Sequence, residues 1–419
     1  MKLGFICLNA HGHLNPMTAL ARQLQGRNHE VIFLYSSDAA GLPVFPNEQN
    51  LAEQNTNDRA IAEVSKMQGE DALQFGVKTI MGFTESALNL LPATVAKTGV
   101  DALLIDSTYF YAELGAIELG MPYIQVSNAM YLDYSGFTPL CFYGWSHEET
   151  AQAMARNREG VAKFARILER NRVGVESYAE RVGLKVEWDD VSSTISPLAS
   201  ITQVPRAFDF ESSHWPTRLY HTGPFHDGMG RANVDFPWER LTGEPLIYAS
   251  MGTVLNGDLN VFQTIVSALA KHNDFQLVLS TGDQVHPQQI VSAPKNAIIV
   301  RRAPQLELLK QASVCITHAG LNTVLESLAQ GVPQVAIPVT FDQPGVAARI
   351  AQKQTGVVTS LDKLTSDHLS ELLDEVMTNS AYRANAQKLQ RQIAEANGLS
   401  VAADVVEKAL GVRDEAKPA

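Results

Sequence analysis

Residues 314–333 read VCITHAGLNTVLESLAQGVP, and the order of parts in that stretch decides the fold. VCIT is a short, unbroken apolar run with β-branched residues, which suits a strand covered on both faces. The turn His318, Ala319, Gly320 follows, and a helix opens near Leu321 to Thr323. A buried strand passing through a tight turn into a helix is half of a βαβ unit, whose crossover makes neighbouring strands parallel. The same alternation extends on both sides: PLIYAS, QLVLS, AIIVRR, QVAIPV and GVVTS are separated by helical segments, one of them over 259–269. A second alternation starts at the N-terminus. There LGFICL, the turn NAHGHLN, a helix with Asn15 as N-cap and Pro16 as first helical residue, and the strand VIFLY succeed one another. DALLID, ending at Asp106, and PYIQVS, ending at Ser127, add two strands, and 138–187 reads as a helical excursion. Two separate alternations predict an α/β chain of two doubly wound domains, over 1–225 and 244–385. The Gly-, Pro- and charge-rich stretch 226–243 is the expected linker, and helical patterning returns over about 386–412.

The composition bounds the function. A length of 419 residues suits two or three domains, and 45% hydrophobic with 19% charged residues excludes a disordered or fibrous chain. With 33 Lys and Arg against 45 Asp and Glu the net charge is −12, which disfavours nucleic acid and anionic lipid as partners. Cys7, Cys141 and Cys315 are too few for a disulfide framework and are not at zinc-ligand spacing. The N-terminus MKLGFICLNAHGH is too quickly polar for a signal peptide, and no apolar run approaches the ~18–20 residues that span a bilayer. The expected compartment is the reducing cytoplasm.

Ligands of open parallel sheets bind beyond the carboxyl ends of the strands, so the turns there are the candidate sites. After VCIT, Gly320 lets backbone approach a ligand closely, and the helix start offers N–H groups and a positive dipole end to an anion. His318, Asn322 and Thr323 add side-chain donors. Glu326 lies one turn beyond Asn322, where its carboxylate can accept two hydrogen bonds from a vicinal diol such as ribose. A phosphate site beside a diol acceptor reads as a nucleotide. In YASMGTVL, Ser250, Gly252 and Thr253 offer hydroxyls and amides without bulk; in PVTFDQPG, Asp342 and Gln343 can grip sugar hydroxyls. The chain has no GxxxxGK[ST], GxGxxG or D-x-D pattern, which argues against an NTPase, a dinucleotide dehydrogenase and a metal held between paired aspartates. In AHGHLNP, His11 and His13 lack a third metal ligand nearby in sequence, so His13 is read as a general base and His11 as a turn residue. Asp106, at the end of its own strand, is placed to hold the second imidazole nitrogen.

These motifs together resemble the donor-binding signature of family 1 UDP-dependent glycosyltransferases. The ordered set PQ (304–305), HxGxN[ST]xxE (318–326), GVP (331–333) and DQ (342–343) carries the resemblance, and GHLNP near the N-terminus matches a second landmark. THAGLNT and FDQPGVAARI are most similar to the bacterial macrolide-type and zeaxanthin-type members. The resemblance implies a GT-B fold, two Rossmann-like domains facing across a cleft, with the final helix crossing back onto the first. It implies His13 as the base and Asp106 as its partner. His318, Asn322, Thr323, Ser250 and Thr253 would hold the diphosphate, Gln305 and Glu326 the ribose, and Asp342 and Gln343 the transferred sugar. One departure stands at Arg302, where family members commonly stack a tryptophan on uracil; a guanidinium plane can also stack on a base.

The implied reaction is a single in-line displacement with inversion, from UDP-glucose to a hydroxyl of a hydrophobic aglycone, without a metal or further cofactor. Phe75, Phe83, Tyr109, Phe110 and Tyr131 are candidates to line the aglycone pocket. Two rivals share the donor site: a sugar-nucleotide epimerase or hydrolase of the same architecture, and a non-catalytic nucleotide-sugar-binding protein, which would be expected to lose the base.

Overall fold

The computed structural model describes residues 1–412 except Ser37, Asn47, Ala232, Leu255 and Asn273. Its first half builds a parallel sheet from β1 (Lys2–Ile6), β2 (Glu30–Phe33), β3 (Ala102–Asp106), β4 (Tyr123–Ser127), β5 (Ser200–Thr202) and β6 (Leu219–His221), in the order β2-β1-β3-β4-β5-β6. Around it lie α1 (His11–Gln25), α2 (Glu48–Val64), α3 (Gly69–Thr98), α4 (Glu113–Glu118), α5 (Ala151–Asn171) and α6 (Val173–Val182). β5 and β6 were not legible as strands: each has three residues, too few for a period. His221 therefore closes the first sheet.

The second half forms another all-parallel sheet from β7 (Leu246–Ser250), β8 (Gln276–Ser280), β9 (Ala297–Val300), β10 (Ala312–Thr317), β11 (Gln334–Ala336) and β12 (Gly356–Val358), in the order β12-β11-β10-β7-β8-β9. Its helices are α7 (Leu259–Leu269), α8 (Gln305–Leu309), α9 (Leu321–Ala329), α10 (Gln343–Gln352), α11 (Ser366–Thr378) and α12 (Ser380–Ala396), and α13 (Gly398–Ala409) closes the described chain. The strands are buried on both faces, as in β3 and β7, where every residue is covered.

Both strand orders reverse at one point, between β1 and β3 in the first sheet and between β7 and β10 in the second. Such switch points open a crevice at the strands' carboxyl ends. Register sets what emerges there. Ile6 pairs with Ile105, which brings the turn after β1 beside Asp106, and Thr317 pairs with Ser250, which brings His318 beside the Gly252 loop.

The patterning over 386–412 divides at Asn397, whose left-handed backbone (φ 48°) turns the chain. Before the break α12 packs on α9. After it, Ala402, Ala403 and Val406 of α13 share a core with Met17, Leu20 and Leu24 of α1. Arg27 fixes this return by bonding Asp404 at 2.6 Å and Glu407 at 2.9 Å.

The helix α1 starts at His11, five residues before Pro16, the first helical residue that an Asn15 cap predicts, so Pro16 sits inside it. A prolyl residue marks a helix start only because its missing N–H costs nothing there. Here the carbonyl that loses its helical partner is bonded from elsewhere, as described below.

Candidate active site

The two switch points face one cleft of about 830 Å³, lined by His13 from the first sheet and by Ser250, His318, Thr323 and Asp342 from the second. Pockets of 300–1,000 Å³ hold drug-sized ligands.

On the first side, Nδ1 of His13 lies 2.8 Å from Oδ2 of Asp106, which is fully buried. Asp106 is itself held by the Thr108 N–H at 3.1 Å and the Leu8 N–H at 3.4 Å. The carboxylate fixes the tautomer with the proton on Nδ1, leaving Nε2 as the basic nitrogen. Burial pulls the His13 pKa down, but the charge and hydrogen bond of Asp106, with Asp342 beyond, outweigh it and raise it above the ordinary value. For Asp106 burial pushes upward, but His13, the Thr108 N–H and Asn128 together pull its pKa below the ordinary value, so it stays ionised.

Across the cleft, α9 begins at Gly320 with no side chain capping its first turn. The unbonded N–H groups of such a turn, at the positive dipole end, suit an anion. His318 lies between two glycines: a Cβ on Gly252 or on Gly320 would come within 2.4 Å of its ring. Its Nδ1 is buried without a partner within hydrogen-bond distance. Burial lowers its pKa to about 4, so it is neutral at pH 7 and offers an anion a hydrogen bond without a countercharge. Gly320→Ala is therefore expected to displace the ring and weaken UDP binding by about tenfold or more, given ~1–3 kcal/mol for overpacking. A calorimetric Kd equal to that of the wild type would count against this placement of His318.

Around this cradle, the Gly252 N–H donates to Ser250 Oγ at 3.2 Å, while Thr253 is exposed at the rim. Gln305 is held by the Tyr248 hydroxyl at 3.0 Å and donates to Glu326 at 2.6 Å and to Thr323 Oγ1 at 3.4 Å. Sequence reasoning missed Arg231 of the linker, which follows two left-handed glycines, Gly228 and Gly230, and pairs with the buried Glu326. Only the charge of that stretch could have signalled it. Arg302 lines the cleft but is tied to Asp283 at 2.7 Å.

Asp342 accepts the Met130 N–H at 3.3 Å from the first domain, and burial raises its pKa. The side-chain carbonyl of Gln343 accepts the Val339 N–H at 2.8 Å and so braces its own loop. Asn322 is the residue whose placement differs most from expectation: both polar atoms of its side chain bond the first domain, Nδ2 to Gly12 O at 2.6 Å and Oδ1 to Gln203 at 2.8 Å.

Of the aromatic candidates, Phe75, Phe83 and Phe110 line the cleft. Tyr109 and Tyr131 are absent from its lining: Tyr109 is 2% exposed within the core that also holds Ile6 and Leu103, and Tyr131 packs edge-on to Trp215. The reason is the turn after β3, which sends Phe110 into the apolar cluster beside the cleft, against Phe164, and its neighbour Tyr109 into the core with Ile6. Ile61, Ile80, Leu132, Phe142 and Phe341 also contribute to the apolar lining.

Two Rossmann-like sheets with facing switch points, one bearing an imidazole–carboxylate pair and the other a helix-terminus cradle, define a glycosyltransferase of GT-B fold. Residues 241–395 match the model of the family described as UDP-glucoronosyl and UDP-glucosyl transferase. The chain is 25% identical over 409 residues to the zeaxanthin glucosyltransferase of Pantoea ananas, covering 96% of this chain and 94% of the relative. It is 25% identical over 427 residues to the oleandomycin glycosyltransferase of Streptomyces antibioticus, covering 99% and 92%. Among solved structures, the glycosyltransferase of kitacinnamycin superposes with a TM-score of 0.73 at 23% identity, over 97% of this chain and 98% of that one. Over almost its whole length the chain is similar to glycosyltransferases, and its second half carries the match to the UDP-glycosyltransferase family model. Among the described residues no helix is long and apolar enough to cross a membrane.

Proposed function

We propose that the enzyme moves a hexose, glucose in the first instance, from a UDP-sugar to a hydroxyl of a hydrophobic small molecule, with inversion to a β-glycoside. The observation that carries this reading is the His13–Asp106 pair, which shares one cleft with the α9 cradle. Nε2 of His13 takes the acceptor's hydroxyl proton as its oxygen attacks C1. The bond from C1 to the diphosphate oxygen breaks on the opposite face, and its electron pair leaves with UDP. The first-turn N–H groups of α9, neutral His318 and the Ser250 and Thr323 hydroxyls take up that charge. Thr253 adds a rim hydroxyl, Gly252 and Gly320 give room, and Arg231 holds the carboxylate of Glu326.

In the same reading Gln305 and Glu326 meet the ribose, Asp342 and Gln343 the hexose, and Arg302 stacks on the base. No metal or further cofactor is required. The apolar wall of Phe75, Phe83 and Phe110 suits a phenolic, polyketide or carotenoid-like aglycone, and relatives named for zeaxanthin and oleandomycin favour a large one. Three buried free cysteines suit the reducing cytoplasm.

The test is a panel of hydrophobic alcohols and phenols incubated with UDP-glucose and, separately, TDP-glucose, scored by mass gain. The expected result is a gain of one hexose from the uridine donor. UDP release that does not rise with any added aglycone would indicate a hydrolase or epimerase instead.

A further inference from the structure

We infer that Asn322 is a positioning residue that ties the turn carrying His13 to the helix that cradles the leaving group. The inference rests on His13 as the base. It begins with a backbone carbonyl. In α1 the N–H of residue 16 would ordinarily bond Gly12 O, four residues back, but Pro16 has no N–H and its ring crowds that carbonyl outward. A carbonyl left unpaired in a part-buried turn seeks another donor. It finds the Asn322 Nδ2 at 2.6 Å, from a residue 310 positions away in the other domain.

The far side of the amide is also held. Asn322 Oδ1 accepts from Gln203 Nε2 at 2.8 Å, and the same Nε2 donates to Asn128 O at 2.6 Å. Gln203 and Asn128 are buried just past the ends of β5 and β4. With an acceptor on one side and a donor on the other, the amide has one productive orientation.

The consequence is geometric. Gly12 immediately precedes His13, and Asn322 is the second residue of α9. A single side chain thus sets the spacing between base and cradle, while the anion is left the backbone N–H groups of α9 instead of the asparagine amide. The proline of GHLNP and the asparagine of HAGLN are two halves of one contact: the first frees the acceptor that the second uses.

The test compares the full-length wild type with Asn322→Ala, Asn322→Asp, Pro16→Ala and the Pro16→Ala/Asn322→Ala double variant. Three quantities are read: kcat for transfer, calorimetric Kd for UDP, and urea unfolding. Asn322→Ala is expected to lower kcat about 10²-fold, the scale of an ångström misplacement, with the UDP Kd changed by no more than about twofold. Asn322→Asp, which keeps the acceptor for Gln203 but loses the donor, should behave alike. Pro16→Ala gives Gly12 O a helical N–H, so it should also lower kcat, and the double variant should fall no further than Asn322→Ala alone. The two substitutions should be non-additive in urea as well, where no sugar is involved.

Additive effects, Pro16→Ala at the wild-type rate, or a UDP affinity that drops in step with kcat/KM would overturn the inference. Because the unfolding cycle needs no substrate, its failure is separable from failure of the glycosyl-transfer reading, which shows as a wild type that transfers nothing.

Discussion

His13→Ala is expected to lower kcat for transfer to an alcohol by about 10²- to 10⁴-fold, the usual contribution of a positioned base, while the UDP Kd stays near that of the wild type. The separation follows from the geometry, since His13 sits on the first sheet's switch point and the cradle on the second's. An aliphatic hydroxyl holds its proton tightly and needs a base; an acidic phenol ionises unaided, so its transfer should lose far less. The pH profile carries the sign of the perturbation. Only the neutral imidazole accepts a proton, and Asp106 holds the His13 pKa above the ordinary histidine value after burial has pulled it down. Activity should therefore rise with pH along an acid limb centred above ~6.5. Asp106→Asn removes the anion, so the limb should move to lower pH while the plateau falls, because the tautomer is no longer enforced. Full turnover on an alcohol after His13→Ala removes this residue from the chemistry. An acid limb that moves to higher pH in Asp106→Asn would contradict the electrostatic role of the carboxylate.

The motifs were legible because each is local. Strand, turn and helix succeed one another within about twenty residues, so VCITHAGLNTVLESL discloses a cradle without knowledge of the rest of the chain. Asp106 was found for a different reason, that parallel strands deliver their ends to one edge. What escaped is whatever depends on the other domain. Pro16 looks like a helix start until Asn322 is seen to bond the carbonyl it frees. Arg231 lies in a stretch whose composition signals only a linker, yet it reaches the buried carboxylate of Glu326. Aromatic residues one position apart, Tyr109 and Phe110, take opposite sides of a turn that has no period to read. Asn397 divides a segment whose helical pattern continues across it, because a left-handed asparagine leaves the apolar spacing on either side intact.

Arg349→Ala is expected to cost about 3–5 kcal/mol of stability, the range for breaking a buried ion pair. Arg349 leaves α10 and crosses to the first domain, where Nη2 lies 2.7 Å and Nε 2.8 Å from Asp209 Oδ1; the two side chains are 2% and 1% exposed. The guanidinium also bonds Gly345 O at 2.9 Å and lies 3.8 Å from the centre of the Phe210 ring. Once it is gone, among the described residues Asp209 keeps the His221 side chain at 3.0 Å and the Phe210 N–H at 2.8 Å. An unbalanced buried carboxylate is more costly than the pair was favourable, so Arg349→Met with Asp209→Leu should be more stable than Arg349→Met alone. The same carboxylate dictates acid behaviour. Burial pushes its pKa up, but Arg349 and then His221 drive it far below the usual carboxylate range. A depressed acid contributes stability in full above its unfolded pKa, ~3.9, and loses it as pH falls toward the folded value. Urea midpoints measured from pH 6 down to 3 should therefore fall in the wild type below about pH 4, and less steeply in the double variant. Since α10 starts at Gln343, next to Asp342, loosening this anchor also frees the proposed sugar subsite from the first domain, and the KM for donor should rise alongside the loss of stability. An unfolding free energy for Arg349→Ala within about 0.5 kcal/mol of wild type, the scale of an inert surface change, would mean that the domains are held together elsewhere.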